Sequence, residues 1–143
     1  MTKKAWKVLS QLAETRVGEA RRMLQQVDQA LAQTQGRKNQ ILALMAENQA
    51  RLMRQTGGQT MADIQVITIF LSNLGLALRG TDEELHKLIR HREQLVEKFN
   101  TARKEEQKME SLIERDATRQ EKAASIREQK AMDAAAISAF NRR

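Results

Sequence analysis

Apolar residues recur along the first third of the chain in alternating steps of four and three. The positions are Trp6, Ser10, Ala13, Val17, Ala20, Leu24, Val27, Leu31, Thr34, Lys38, Ile41, Met45, Asn48 and Leu52. Ten of the fourteen are apolar, and a strict repeat held this long predicts one helix carrying a left-handed coiled-coil seam. Lys38 and Asn48 read as polar insertions that fix register at some loss of stability. The pattern stops at Thr56-Gly57-Gly58-Gln59-Thr60. Two adjacent glycines allow the left-handed backbone that ends helices, so the chain is expected to reverse there.

A second seam follows in the same phase: Ile64, Ile67, Leu71, Leu74, Leu78, Thr81, Leu85, Leu88, Arg92, Leu95, Phe99, Ala102, Glu106, Met109 and Ile113. The repeat crosses Gly75 and Gly80 without a skip, which favours one continuous helix, kinked at most at Gly80, since a true break disturbs heptad phase. The alternative is a helix ending at Gly80 and another starting at Thr81-Asp82-Glu83-Glu84, a capping-box pattern. The expected fold is all-α: one coiled-coil domain over residues 1–143, with helix one at about 4–56, a turn at 57–60 and helix two at about 61–140. Folded back from the double glycine, helix one matches helix two only to about residue 114, so residues 115–143 overhang without a partner. The seam fades over the same residues, with Asp116 and Gln120 at core positions. A lone helix of this kind is marginal in water and invites a partner.

Composition supports elongated helices over a globule. Proline is absent, and the only Phe, Trp or Tyr residues are Trp6, Phe70, Phe99 and Phe140, too few for an ordinary three-dimensional core. Charged residues make up 30% of the chain and the formal net charge is +7. That excess is uneven, since residues 1–56 carry ten basic and four acidic side chains, and residues 82–143 fourteen and thirteen. The absence of cysteine excludes disulfide scaffolds, cysteine metal sites and thiol catalysis. The amphipathic N-terminal stretch reads as no signal peptide. The most apolar run, Ile64 to Leu78, rises only ~22 Å as helix, short of a ~30 Å hydrocarbon core, so a cytoplasmic protein is expected.

No residue set points to catalysis. His86 and His91 are five apart, about 140° around a helix, and do not share a metal as an i, i+4 pair does. No phosphate-binding glycine loop is present. Glu105, Glu106, Glu110 and Glu114 read as a solvated flank. A non-enzyme is expected, with no cofactor, metal or small-molecule substrate. Apolar residues off the seam carry more information: Leu44, Val66, Ile69, Phe70, Leu76 and Ala77. In a hairpin closed at 57–60, facing positions sum to about 117, which sets Leu44 level with residue 73, between Phe70 and Ala77. Either these residues form an exposed docking patch near the tip, or the tip thickens locally to bury them.

Three blocks carry a family likeness: Leu12-Ala13-Glu14 with Val17 and Ala20; Phe70-Leu71 with Leu74 and Ala77; and Glu128-Gln129-Lys130 with Asp133. In their order and spacing the chain resembles the flagellar export protein FliJ, a component of bacterial type III export, across essentially its whole length. Ala134 departs from the acid that often follows the third block in that family. The resemblance implies a protein similar to the central stalk of rotary ATPases. It implies as partners the export ATPase hexamer and its regulator, the cytoplasmic domain of the membrane export gate, and export chaperones, with peripheral association at the inner face of the cell membrane. Mapped onto this sequence, the gate surface is expected at the tip, on Ile41, Leu44, Asn48, Phe70, Leu74 and Ala77. The ATPase surface is expected on the overhang, at Arg127, Glu128, Gln129, Lys130, Met132 and Asp133.

Other readings make different demands. A nucleic-acid binder would use the sequence pI of 10.1, but the basic residues are spread over both helices and no basic region leads into a zipper. A membrane-surface helix over 61–78 would want basic flanks, and has only Arg79 just beyond its end. The equivalent stalk protein of a virulence secretion system differs little in sequence, and the third block favours the flagellar case.

Overall fold

In a computed structural model, residues 2–54 and 60–142 are described, and they form two α-helices: α1 over Lys3–Met53 and α2 over Met61–Asn141. No strand occurs among the described residues. The expected turn at Gly57-Gly58 lies outside them.

Each helix begins on a side-chain cap. The Thr2 hydroxyl accepts from the Ala5 amide at 3.2 Å, satisfying one of the unpaired donors of the first turn of α1. Thr60 and Asp63 form a reciprocal capping box. The Asp63 amide donates to Thr60 Oγ1 and the Thr60 amide to Asp63 Oδ2, both at 3.2 Å. The other candidate box, at Thr81, caps nothing. Thr81 lies inside α2, buried, and its hydroxyl donates to the Ala77 carbonyl at 2.8 Å. α2 therefore runs unbroken through Gly75 and Gly80.

The chain groups into two compact units, Met1–Gly18 with Asn100–Arg143, and Glu19–Phe99. In the second unit the two arms pack antiparallel along the seam. Val27, Thr34 and Asn48 of α1 and Leu74, Thr81, Leu85 and Leu95 of α2 are buried. Ion pairs flank this stripe: Arg92 with Asp28 at 2.7 Å, Lys38 with Asp82 at 2.8 Å and Arg37 with Glu84 at 3.2 Å. Lys38, a seam position in the sequence, is half-buried and answered by Asp82. Arg92, also on the seam, is exposed, its long side chain reaching outward to Asp28.

These facing pairs sum to 120 or 121, above the 117 expected from the turn position. In a helix every Cα–Cβ bond tilts toward the N-terminus. In antiparallel arms the two tilts oppose, so side chains that meet sit further along each helix than the Cα atoms at the same level. Leu44 is thereby brought level with residues 76 and 77.

In the first unit Ala13 and Val17 of α1 and Ala102 of α2 are buried, and Arg16 pairs with Glu105 at 3.5 Å. The seam closes on a polar contact, where half-buried Trp6 donates its indole N–H to Asp116 Oδ2 at 2.7 Å. Gln120 Nε2 donates to the same oxygen at 3.3 Å. From Ala117 to Arg142 every residue is exposed.

Candidate functional site

Two surfaces stand out from the residues upward, one in each unit. The first is the start of α2. Its seam residues Ile64, Ile67, Leu71 and Leu78 are half-buried and Leu74 is buried, which fixes the rotation of the helix. Residues between them must then point outward. Val66, Ile69 and Leu76 are more than 60% exposed, and Leu44 and Phe70 are 40% exposed. Ala77 is also exposed. The apolar patch is therefore open. Of the six tip residues drawn from the sequence, Leu44, Phe70 and Ala77 reach the surface and Ile41 is half-buried. Asn48 and Leu74 belong to the core beneath. Asn48 turns its amide inward, donating to the Leu44 carbonyl at 2.7 Å, so its burial satisfies the donor locally.

The same stretch has a second property. α2 contains an 18-residue window of mean hydropathy 1.6, long and apolar enough by length and composition to cross a membrane, and hardly any of it is buried. The apolar run read as fifteen residues from Ile64 reaches eighteen when counted from the helix start at Met61.

The second surface is the end of α2. Arg127, Glu128, Gln129, Lys130, Met132 and Asp133 are all exposed, as the overhang requires. Three residues outside that set complete it: Ile126, Ile137 and Phe140, exposed by 54%, 62% and 76%. With Lys130 and Asp133 between them they step by four and three, which places them on one face. That spacing was available in the sequence. Its phase differs from the seam's, so a single-seam reading passes over Ile126 and Phe140.

His86 Nδ1 lies 2.7 Å from the Asp82 carbonyl oxygen, within its own helix. Among the described residues no group of three His, Cys, Asp or Glu side chains could hold a metal ion. The groove beside Trp6, about 500 Å³, is an open trough lined by Lys3, Ser10, Ile113 and Asp116 among others.

Both surfaces lie mainly on α2, and comparison with known families places the chain that carries them. The family model described as the flagellar FliJ protein matches residues 3–143. The chain belongs to the FliJ family. Neither the curated proteins nor the solved structures include a match to it. Membership makes this FliJ-family chain a flagellar export-related component, in a family whose members are non-enzymatic. The matched span contains both surfaces entire, from Leu44 and Phe70 to Phe140.

Proposed function

We propose that this FliJ-family chain works in flagellar export as a helical adaptor of the export ATPase hexamer. The bare end of α2 is the element that enters or clasps the ring. The tip patch docks the cytoplasmic domain of the export gate, and the same rod serves substrate-free export chaperones and the ATPase regulator. Its place is the cytoplasmic face of the membrane, reached through these partners.

The observation that carries this reading is the exposure of α2 from Ala117 to Arg142. A helix with no neighbour is marginal in water, so order there is gained by docking. Helices are about 10 Å wide, which suits the central channel of a ring. The exposed stripe of Ile126, Ile137 and Phe140, flanked by Arg127, Lys130 and Asp133, supplies apolar anchors with a charged rim.

The test is to mix the purified chain with the export ATPase under hexamer-forming conditions. One chain per hexamer and raised ATPase activity are expected, both lost on truncation after Gln120. Failure of the intact chain to form any complex sinks the proposal. Phe70→Ala and Ala77→Asp should weaken capture of the gate domain and leave ATPase stimulation intact.

A further inference from the structure

The outward face of α2 near its start holds a second coiled-coil repeat. Ala62, Val66, Ile69, Asn73 and Leu76 step by four, three, four and three, and all five are exposed. Val66, Asn73 and Leu76 each lie two positions, about 200° of helix rotation, from the seam residues Ile64, Leu71 and Leu78. They therefore sit opposite the face that α1 covers. We infer that this stripe is a self-pairing seam, on which a second copy of the chain docks with its α2 parallel to the first.

The register argues for a second copy. In heptad terms Val66 and Asn73 occupy the a positions and Ala62, Ile69 and Leu76 the d positions. Val66 at a with Leu76 at d fits two parallel strands, Ile69 at the central d does not by itself select that number, and the single Asn73 at a is what fixes a parallel two-stranded register. In the symmetric parallel pair Asn73 meets Asn73 of the second copy, and the two amides satisfy each other. An antiparallel pair centred on Ile69 would instead set each Asn73 amide against Val66, leaving it unanswered. The flanks agree: across the parallel pair Gln65 faces Phe70 and Ser72 faces Ala77, so no like charges oppose. A lipid surface fits less well. The only charged residue in 61–78 is Asp63, and no Lys or Arg within the stretch reaches toward headgroups.

The repeat spans only two heptads, so the pairing is weak and concentration-dependent. The chain has no cysteine, which makes trapping straightforward. Sedimentation of the full chain alone should show a dimer fraction that rises with concentration. Ile69→Glu and Leu76→Glu should abolish it while circular dichroism stays unchanged. Under mild oxidation Asn73→Cys should form an interchain disulfide about tenfold faster than exposed Lys98→Cys, because pairing raises the local thiol concentration. A wild type that stays monomeric at every concentration, with equal trapping rates for the two cysteines, overturns the inference. So does a monomer that floats with anionic phospholipid vesicles and loses that property in Ile69→Glu, which would assign the face to lipid. No export partner is present in these assays, so their outcome is independent of the adaptor role.

Discussion

Gly36, Gly75 and Gly80 lie in the interiors of α1 and α2, where glycine is the least favourable residue after proline. In many helices such glycines are required by a close neighbour. Here a Cβ built at any of the three meets nothing within 4 Å, and none has a backbone angle that disfavours a side chain. Replacement by alanine should therefore recover the helix-propensity difference, about 0.8–1 kcal/mol per site, through a less flexible unfolded chain. Gly75 and Gly80 are about 7.5 Å apart along the axis, far enough for near-additive effects. The triple variant should gain about 2–3 kcal/mol, which for a chain of this size raises the melting temperature by about 5–10 °C. Thermal and urea unfolding followed by circular dichroism at the helix band is the assay, with the urea midpoint rising at unchanged slope. All three sites are in the Glu19–Phe99 unit, so the gain should appear in that unit's transition. A loss of stability in any single variant, or no gain in the triple, would show that these glycines meet packing demands absent from this structure.

Three further outcomes follow from named contacts. Thr60→Ala removes half of the capping box at the start of α2 and should cost about 1 kcal/mol, read as a lower urea midpoint. Asp116→Ala strips the acceptor from the Trp6 indole; about 1 kcal/mol should be lost and the emission of this sole tryptophan should shift to the red. Leu85→Ala opens the buried seam and should cost about 2–4 kcal/mol in the same unfolding assay, whereas Ile89→Ala, at an exposed position of the next turn, should change stability by less than about 0.5 kcal/mol.

The seam was legible because heptad phase is a long-range signal that accumulates over many turns. All fourteen positions read from Trp6 to Leu52 are buried or half-buried, and on α2 only Arg92 departs, since a guanidinium on a long stem escapes burial. Local signals were less decisive. Thr81-Asp82-Glu83-Glu84 has the composition of a helix start, but Thr81 is also a seam residue, and packing against α1 overrides the local preference. The true box at Thr60 and Asp63 uses the weaker Asp variant beside a turn already signalled by glycine. The tip patch was legible in part. Exposure of Leu44, Phe70 and Ala77 followed from their being out of phase, whereas Asn48 and Leu74 are seam residues and lie beneath the surface. The side-chain register was offset because sequence spacing fixes Cα levels and carries no information on the opposed tilt of Cβ atoms in antiparallel helices.

The distribution of apolar volume bears on what holds the fold. Half of the buried positions are small or polar: Ala13, Ala102, Thr34, Thr81 and Asn48 stand beside Val17, Val27, Leu74, Leu85 and Leu95. Larger side chains such as Ile69, Leu76, Ile126, Met132 and Phe140 are spent on the outside. Burial contributes in proportion to area, about 25 cal/mol per Å², so an alanine at the seam adds far less than an isoleucine would. The buried small residues therefore contribute modestly, and the seam also draws on larger half-buried side chains such as Leu31, Ile41, Ile67 and Leu88. If a partner covers the outer residues, as the proposed function requires, measured stability should rise with partner concentration. The exposure of Phe140 and Ile69 leaves the apolar area that such a partner would bury.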